Sequence, residues 1–242
     1  MVRNTALLNF GDNEEHSQRR NSLKLTCASL SFLSSCDADI WREHHEVKNP
    51  RGPFPSVFRQ IDSINRQFYT GKSLKTLSPD LPEGTLDTGE MWVQSHVFEI
   101  KGHTPFYFTG RLDGLGTRAD GGGFIVPDFK TVDVKTQHLG HYQLQLNAYA
   151  LALENPAPGR PRLAPVTHLG LLCLMPRSMK ASPTGNIGYL VEPSWVPLER
   201  NDDAFFDFIA TRILRVLELP KMPEPAPDCE WCAFVDAIKR DI

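Results

Sequence analysis

The chain has 242 residues, 40% of them hydrophobic, enough to bury a full core in one domain with appendages. Its 26 basic and 29 acidic residues give a net charge of −3, so no polycationic surface announces a nucleic-acid binder, although a local basic face would serve. Apolar runs too short to span a bilayer, a start without a signal-peptide core and an odd count of five cysteines argue against membrane and disulfide-framework classes, and cytoplasmic residence is expected.

Residues 1 to 22 are polar and aperiodic and are expected to form a disordered arm; 23 to 218 are expected to hold the main domain. SLKLTCASLSFLSSC leads into a short helix, and DIWREHHEVKNPRGPFP reads as a loop-like connection. Within it His44 and His45 would face different directions on any regular element, so surface positions are expected rather than ligands. Val57, Phe58, Ile61, Ile64 and Phe68 recur at helical spacing in SVFRQIDSINRQFY and predict an amphipathic helix, which the turn-rich LSPDLPEG follows. Three strands come next, WVQSHVFEI, PFYFTGRLDG and GFIVPDFKT, divided by KGHT and RADGG turns, and antiparallel pairing is the simplest connection. HLGHYQLQLNAYALALE is rich in helix formers and predicts a helix. Past a Pro-rich loop, VTHLGLLCLMP reads as a strand that crosses over, right-handed, to pair parallel in the sheet, and NIGYLVEP as an added edge strand. DDAFFDFIATRILRVLEL closes the domain as a helix capped by Asn201 or Asp202, with Phe205, Ile209, Ile213, Leu214 and Leu217 inward. Residues 219 to 242 then supply a Pro-rich linker and a Cys-x-x-Cys segment expected to pack on the N-terminal segment.

Asp113, Asp128, Lys130, Gln145 and Tyr149 fall in that order between positions 113 and 149. Alternate residues of a strand share a face, so Asp128 and Lys130 project together while Phe129 points away. The TRADGGG turn lets the chain double back, bringing Asp113 to the neighbouring strand end, and Gln145 and Tyr149, four apart, share one helix face. Mg2+ takes hard oxygen ligands, one or two carboxylates with waters and substrate phosphate, which suits Asp113 and Asp128. Such an ion polarises a phosphoryl oxygen and lowers the pKa of a bound water. Lys130 would orient that water or offset charge growing on phosphorus, with Gln145 and Tyr149 as positioning residues. Singly, each feature has a plain reading: a solvated strand end, a turn aspartate, an amphipathic helix face. In this order, each on a matching element, they point to a metal-dependent phosphodiester-cleaving site.

The same segments carry a family resemblance. GRLDGL resembles the G-x-hydrophobic-D strand, PDFKT the D-x-K-T strand and QLQLNAY the Q-x-x-x-Y helix of the RecB-like exonuclease branch of the PD-(D/E)XK nuclease superfamily. The aspartate of PDFK corresponds to the second acid of that motif and Asp113 to the first. LTCASLSFLSSCDADIW and PDCEWCAF are more weakly similar to the opening and closing segments of such proteins. The resemblance implies an α/β, restriction-endonuclease-like core (αβββαβ), a mixed central sheet flanked by helices, over residues 23 to 218. It implies Mg2+ or Mn2+ on Asp113, Asp128 and the backbone carbonyl of Phe129, Lys130 as the catalytic lysine, and nucleic acid, DNA first, as substrate, in repair, recombination or defence. In several relatives one early and three late cysteines hold a four-iron cluster; Cys36, Cys229 and Cys232 match three of those positions and no cysteine follows. Cys27 falls where relatives carry a small residue, and Cys173 reads as a core thiol. An iron-sulfur cluster, a zinc site completed by a histidine or aspartate, and cysteines that merely pack the termini all stay open.

Relatives often add a Glu or His from a helix ahead of the sheet, and no residue here is assignable to that place. His96 and Glu99, three apart, would face opposite sides of a regular strand, so at most one could approach the site. With no Walker A loop in the sequence, unwinding would fall to a separate helicase or to a recombination or CRISPR protein. The alternative function is a non-catalytic nucleic-acid-binding or assembly module, which the intact acid-acid-lysine set disfavours.

Overall fold

The structure, a computed structural model, describes residues 21–33, 36–46, 55–131 and 139–240. All but the last two residues of the expected N-terminal arm lie outside them. Strand β1 (Leu23–Thr26) runs straight into a 3-10 turn (Cys27–Phe32), so the opening segment is a strand before it is a helix. DIWREHH, expected as loop, lies in helix α1 (Asp37–His45); Asp37 and Asp39 in its first turn and Arg42, His44 and His45 in its last complement the helix dipole. Helix α2 (Ser56–Tyr69) lies where the apolar spacing predicts it. Its apolar residues Val57, Phe58, Ile64 and Phe68 nevertheless face outward, and only Tyr69 is buried.

Two mixed sheets form the centre. β1, β4 (Phe106–Leu112) and β3 (Met91–Gln94) make the first, in the order β1-β4-β3, with β1 parallel and β3 antiparallel to β4. The second has the order β2-β5-β6-β7-β8, from β2 (Gly84–Asp87), β5 (Leu115–Arg118), β6 (Phe124–Lys130), β7 (Val166–Ala181) and β8 (Ile187–Leu198). The crossover from β6 to β7 makes that pair parallel, as the sequence requires, and the other pairs are antiparallel. The strand expected at PFYFTGRLDG forms as β4, but an unexpected strand, β5, follows it at once: the chain leaves the first sheet at Leu112 and joins the second at Leu115. Gly114 at the crossing is hemmed in, since a Cβ there would lie 3.3 Å from the Asp87 carbonyl oxygen and 3.4 Å from both Leu86 and Pro127.

Helix α3 (Leu139–Glu154), buried from Gln145 to Leu153, is the central element of the main core and packs on β4, β6, β7 and the 3-10 turn. An apolar residue on every side marks a helix enclosed by its neighbours. β7 is covered on both faces: Leu171 enters the main core, while Leu172 and Leu174 enter a second core with Tyr69, Leu74, Leu86, Ile125 and Phe129. The unbroken apolar run LGLLCL is the signature of that double burial. Full burial of each leucine contributes roughly 1.5–3 kcal/mol. Beyond Pro176 the β7–β8 hairpin leaves the core, and its residues are exposed.

Helix α4 (Asp202–Phe208) is capped by Asn201, whose Oδ1 accepts the Ala204 N–H at 2.9 Å. It continues through a π-helical stretch (Ile209–Leu214) into α5 (Arg215–Leu217), burying Phe205, Ile209, Ile213, Leu214 and Leu217. Helix α6 (Glu230–Arg240) ends the description. Among the described residues no helix is long and apolar enough to cross a membrane.

Candidate active site

The site forms where the two sheets part. The β5–β6 ladder is registered at Gly116–Ile125 and Thr117–Phe124, and Pro127 has no N–H to carry it further. Into the opening turns Asp113, whose Oδ2 accepts the Phe129 N–H at 3.1 Å and so replaces a ladder carbonyl. Strand alternation sends the Phe129 ring into the second core against Tyr69 and leaves Asp128 and Lys130 on the Asp113 side. Lys130 Nζ lies 2.5 Å from Asp128 Oδ2 and 4.8 Å from the centre of the Tyr142 ring.

Helix α3 closes the back. Gln145, 5% exposed, donates from Nε2 to Asp128 Oδ1 at 3.0 Å, and its Oε1 has no partner among the described residues. Tyr149 donates its hydroxyl to the Arg111 carbonyl at 2.7 Å. A Cβ on Gly110 would come within 2.8 Å of the Tyr149 ring, so the glycine is what lets ring and strand meet. Tyr149 thus braces the strand that ends in Asp113, while Gln145 holds Asp128. All five sequence-derived residues converge on one place.

A buried and a half-buried carboxylate side by side repel. Burial first, and the charge of Asp128 second, push Asp113 up to about 7, against the pull of the Phe129 N–H and Lys130. Burial works against the Lys130 ammonium, yet Asp128 and Asp113 outweigh it and raise its pKa, so the lysine stays charged. Burial raises the Tyr149 phenol too, keeping it neutral.

Four charged groups and one ring nearby escape sequence reasoning. Asp62, on α2, adds to the negative field at Asp113. It is bridged to Arg66 at 2.6 Å, Arg66 to Glu90, and Glu90 to Arg111 at 2.8 Å. Asp62 and Arg66 stand at i and i+4, a spacing indistinguishable from a surface pair until the fold turns it towards the site. Tyr142 had a signal: it precedes Gln145 by three and Tyr149 by seven on one helix face. His96 packs its ring on Phe98 instead.

A family model for the PD-(D/E)XK nuclease superfamily matches residues 39–237. The chain belongs to that superfamily. Among solved structures, that of SSO0001 aligns over 93% of this chain and 91% of its own, at 14% identity and a TM-score of 0.45. No curated protein matches the sequence significantly. The two mixed sheets flanked by helices are the restriction-endonuclease-like fold of this PD-(D/E)XK protein. Superfamily nucleases typically use divalent metals, and the residues fit one: buried Asp128 and half-buried Asp113 are neighbouring hard-oxygen donors.

A second cluster sits away from this PD-(D/E)XK site. The sulfurs of Cys36, Cys229 and Cys232 all lie within 4.8 Å of one another. Cys36 caps the start of α1, and its sulfur accepts the Ala226 N–H at 3.2 Å. Burial raises its pKa, but hydrogen bonds from the Ala226 and Asp39 N–H groups and the other thiols bring it below the usual thiol value. Burial and the two neighbouring sulfurs push Cys232 up to about 12. Four thiolates are the norm for a four-iron cluster, and Cys27 and Cys173, buried in the main core, do not supply the fourth.

Proposed function

We propose that the protein is a RecB-like, Mg2+- or Mn2+-dependent nuclease that hydrolyses phosphodiester bonds of DNA, acting in the cytoplasm in repair, recombination or defence. Residues 23 to 218 are its nuclease domain and 219 to 242 a closing segment that packs on its start. The observation that carries this reading is the convergence of Asp113, Asp128 and Lys130 at the parting of β5 and β6, with an N–H between them.

Asp113, Asp128 and the Phe129 carbonyl would hold the ion, which polarises the phosphate and lowers the pKa of the attacking water. Asp113, with its pKa raised to about 7, would hold the ion as the carboxylate. Lys130 remains an ammonium and so offsets charge on the phosphate oxygens rather than removing a proton from water. Gln145 fixes Asp128, and Tyr149 fixes the strand carrying Asp113. Water oxygen bonds to phosphorus as the bond to the leaving sugar oxygen breaks; the water's proton passes to solvent, and the leaving oxygen takes one up from solvent. Unwinding is left to a separate helicase or to a recombination or CRISPR protein.

The test is digestion of single-stranded, duplex and circular DNA side by side, with Mg2+, Mn2+ or EDTA. Metal-dependent cleavage that Asp128→Ala and Lys130→Ala abolish without unfolding the chain supports the enzyme. Nucleic-acid binding that ignores metal and both substitutions, with no cleavage, would make it a binding module.

A further inference from the structure

We propose that Cys36, Cys229 and Cys232 bind a single zinc ion, which fastens α6 to α1. The geometry selects the metal. Zn–S bonds of about 2.3 Å in a tetrahedron set sulfurs about 3.8 Å apart. Cys36 Sγ and Cys232 Sγ are 3.8 Å apart, with Cys229 Sγ within 4.8 Å of both. A four-iron core would hold its ligating sulfurs about 6 Å apart, with inorganic atoms between them. These three are packed too tightly for that core and are spaced for one ion.

The surroundings favour thiolates. Cys36 stands at the N-terminus of α1, and Cys229 and Cys232 at that of α6, so both helix dipoles favour negative sulfur there. The Ala226 N–H points at Cys36 Sγ. One turn into α1, the Asp39 Oδ1 is shielded from solvent with no hydrogen-bond partner among the described residues, though it lies outside the sulfur cluster.

The fold also explains why an ion is needed. The small core around these sulfurs consists of Cys36, Ala38 and Cys232, with Met222, Ala226 and Cys229 partly covered. So little apolar surface does not dock a terminal helix, and small cores commonly take a metal staple. Arg42 is fully buried beside it; one nitrogen bonds Asp236 at 3.0 Å while its Nη1 has no partner among the described residues, a cost the apolar contacts do not offset.

The full chain, purified anaerobically without added metal, is assayed for zinc, iron and sulfide and then exchanged with Co2+. Colourless protein with about one zinc per chain, and intense thiolate-to-cobalt bands after exchange, is expected. Cys229 is the most accessible of the three, so Cys229→Ser is the variant that folds; its zinc should fall about tenfold or more. Asp128→Ala should keep its zinc. Brown protein with iron and sulfide, failure to take up zinc or cobalt, or zinc that leaves with Asp128→Ala instead of Cys229→Ser each overturn the proposal. None of these readouts passes through DNA cleavage, so their failure is separate from any failure of the nuclease assignment.

Discussion

A carboxyl buried beside another carboxylate releases its proton late, and Asp113 is held at about 7 against an ordinary 3.8. Its folded value lies above its unfolded one, so the folded chain holds a proton that the unfolded chain has already lost. The stability this contributes is fully present below about pH 4 and is lost as pH rises through about 7. Asp113→Asn keeps an oxygen to accept the Phe129 N–H and removes the repulsion. In EDTA the variant should therefore be more stable than the parent at pH 8, by on the order of 2 kcal/mol or several degrees in Tm, and no different at pH 4. Melting curves at the two pH values decide it. A variant that melts earlier at pH 8 would mean that the ionised carboxylate stabilises the metal-free fold, and the electrostatic reading of the site would be wrong.

At the scale of elements, the brace between α3 and β4 is a packing problem with one solution. Gly110→Ala drives a methyl into the Tyr149 ring and against Cys27 Cβ, 3.2 Å away, and should cost about 1–3 kcal/mol. In a Tyr149→Leu background the ring is gone and the same methyl should cost less, a coupling of about 1 kcal/mol in a double-mutant cycle by denaturation. Strict additivity would show that the ring does not set the glycine. By contrast, replacing Ser178–Leu190 by a short turn should leave Tm within about 2 °C, because the removed residues touch neither core. A larger loss would mean that the hairpin packs on something. Helices α2, α3 and the α4–α5 run and the β6–β7 crossover are legible in the sequence because periodicity and apolar runs are local signals. The same holds for Asp128 with Lys130 and for Gln145 with Tyr149, whose spacing within one element decides what faces where. What escapes depends on tertiary partners: the change of sheet at Asp113 and Gly114, the outward apolar face of α2, and Asp62 beside the site. Helix α1 is harder to read because a cysteine holds its N-cap position, although Asp37 and Asp39 mark its first turn.

Over the whole molecule the net charge of −3 gives DNA no general attraction, so binding depends on local fields. Without a divalent ion the site presents Asp113, Asp128 and the nearby Asp62 and Glu90 against Lys130, Arg66 and Arg111, with the two acids at the parting of the sheets aimed at the place proposed for the phosphate. Neutralising one of them should strengthen DNA binding even as it removes cleavage. Asp128→Asn keeps an acceptor for Gln145 and leaves Lys130 without a charged partner 2.5 Å away, free to meet a phosphate. In EDTA at low salt the variant should bind a short duplex about 5- to 20-fold more tightly than the parent, on the order of 1–2 kcal/mol. The gain should shrink as salt rises and screens the partly open site. Fluorescence anisotropy across a salt series measures both. Equal affinities for parent and variant at low salt would place the DNA backbone away from Asp128, and with it the reacting phosphate.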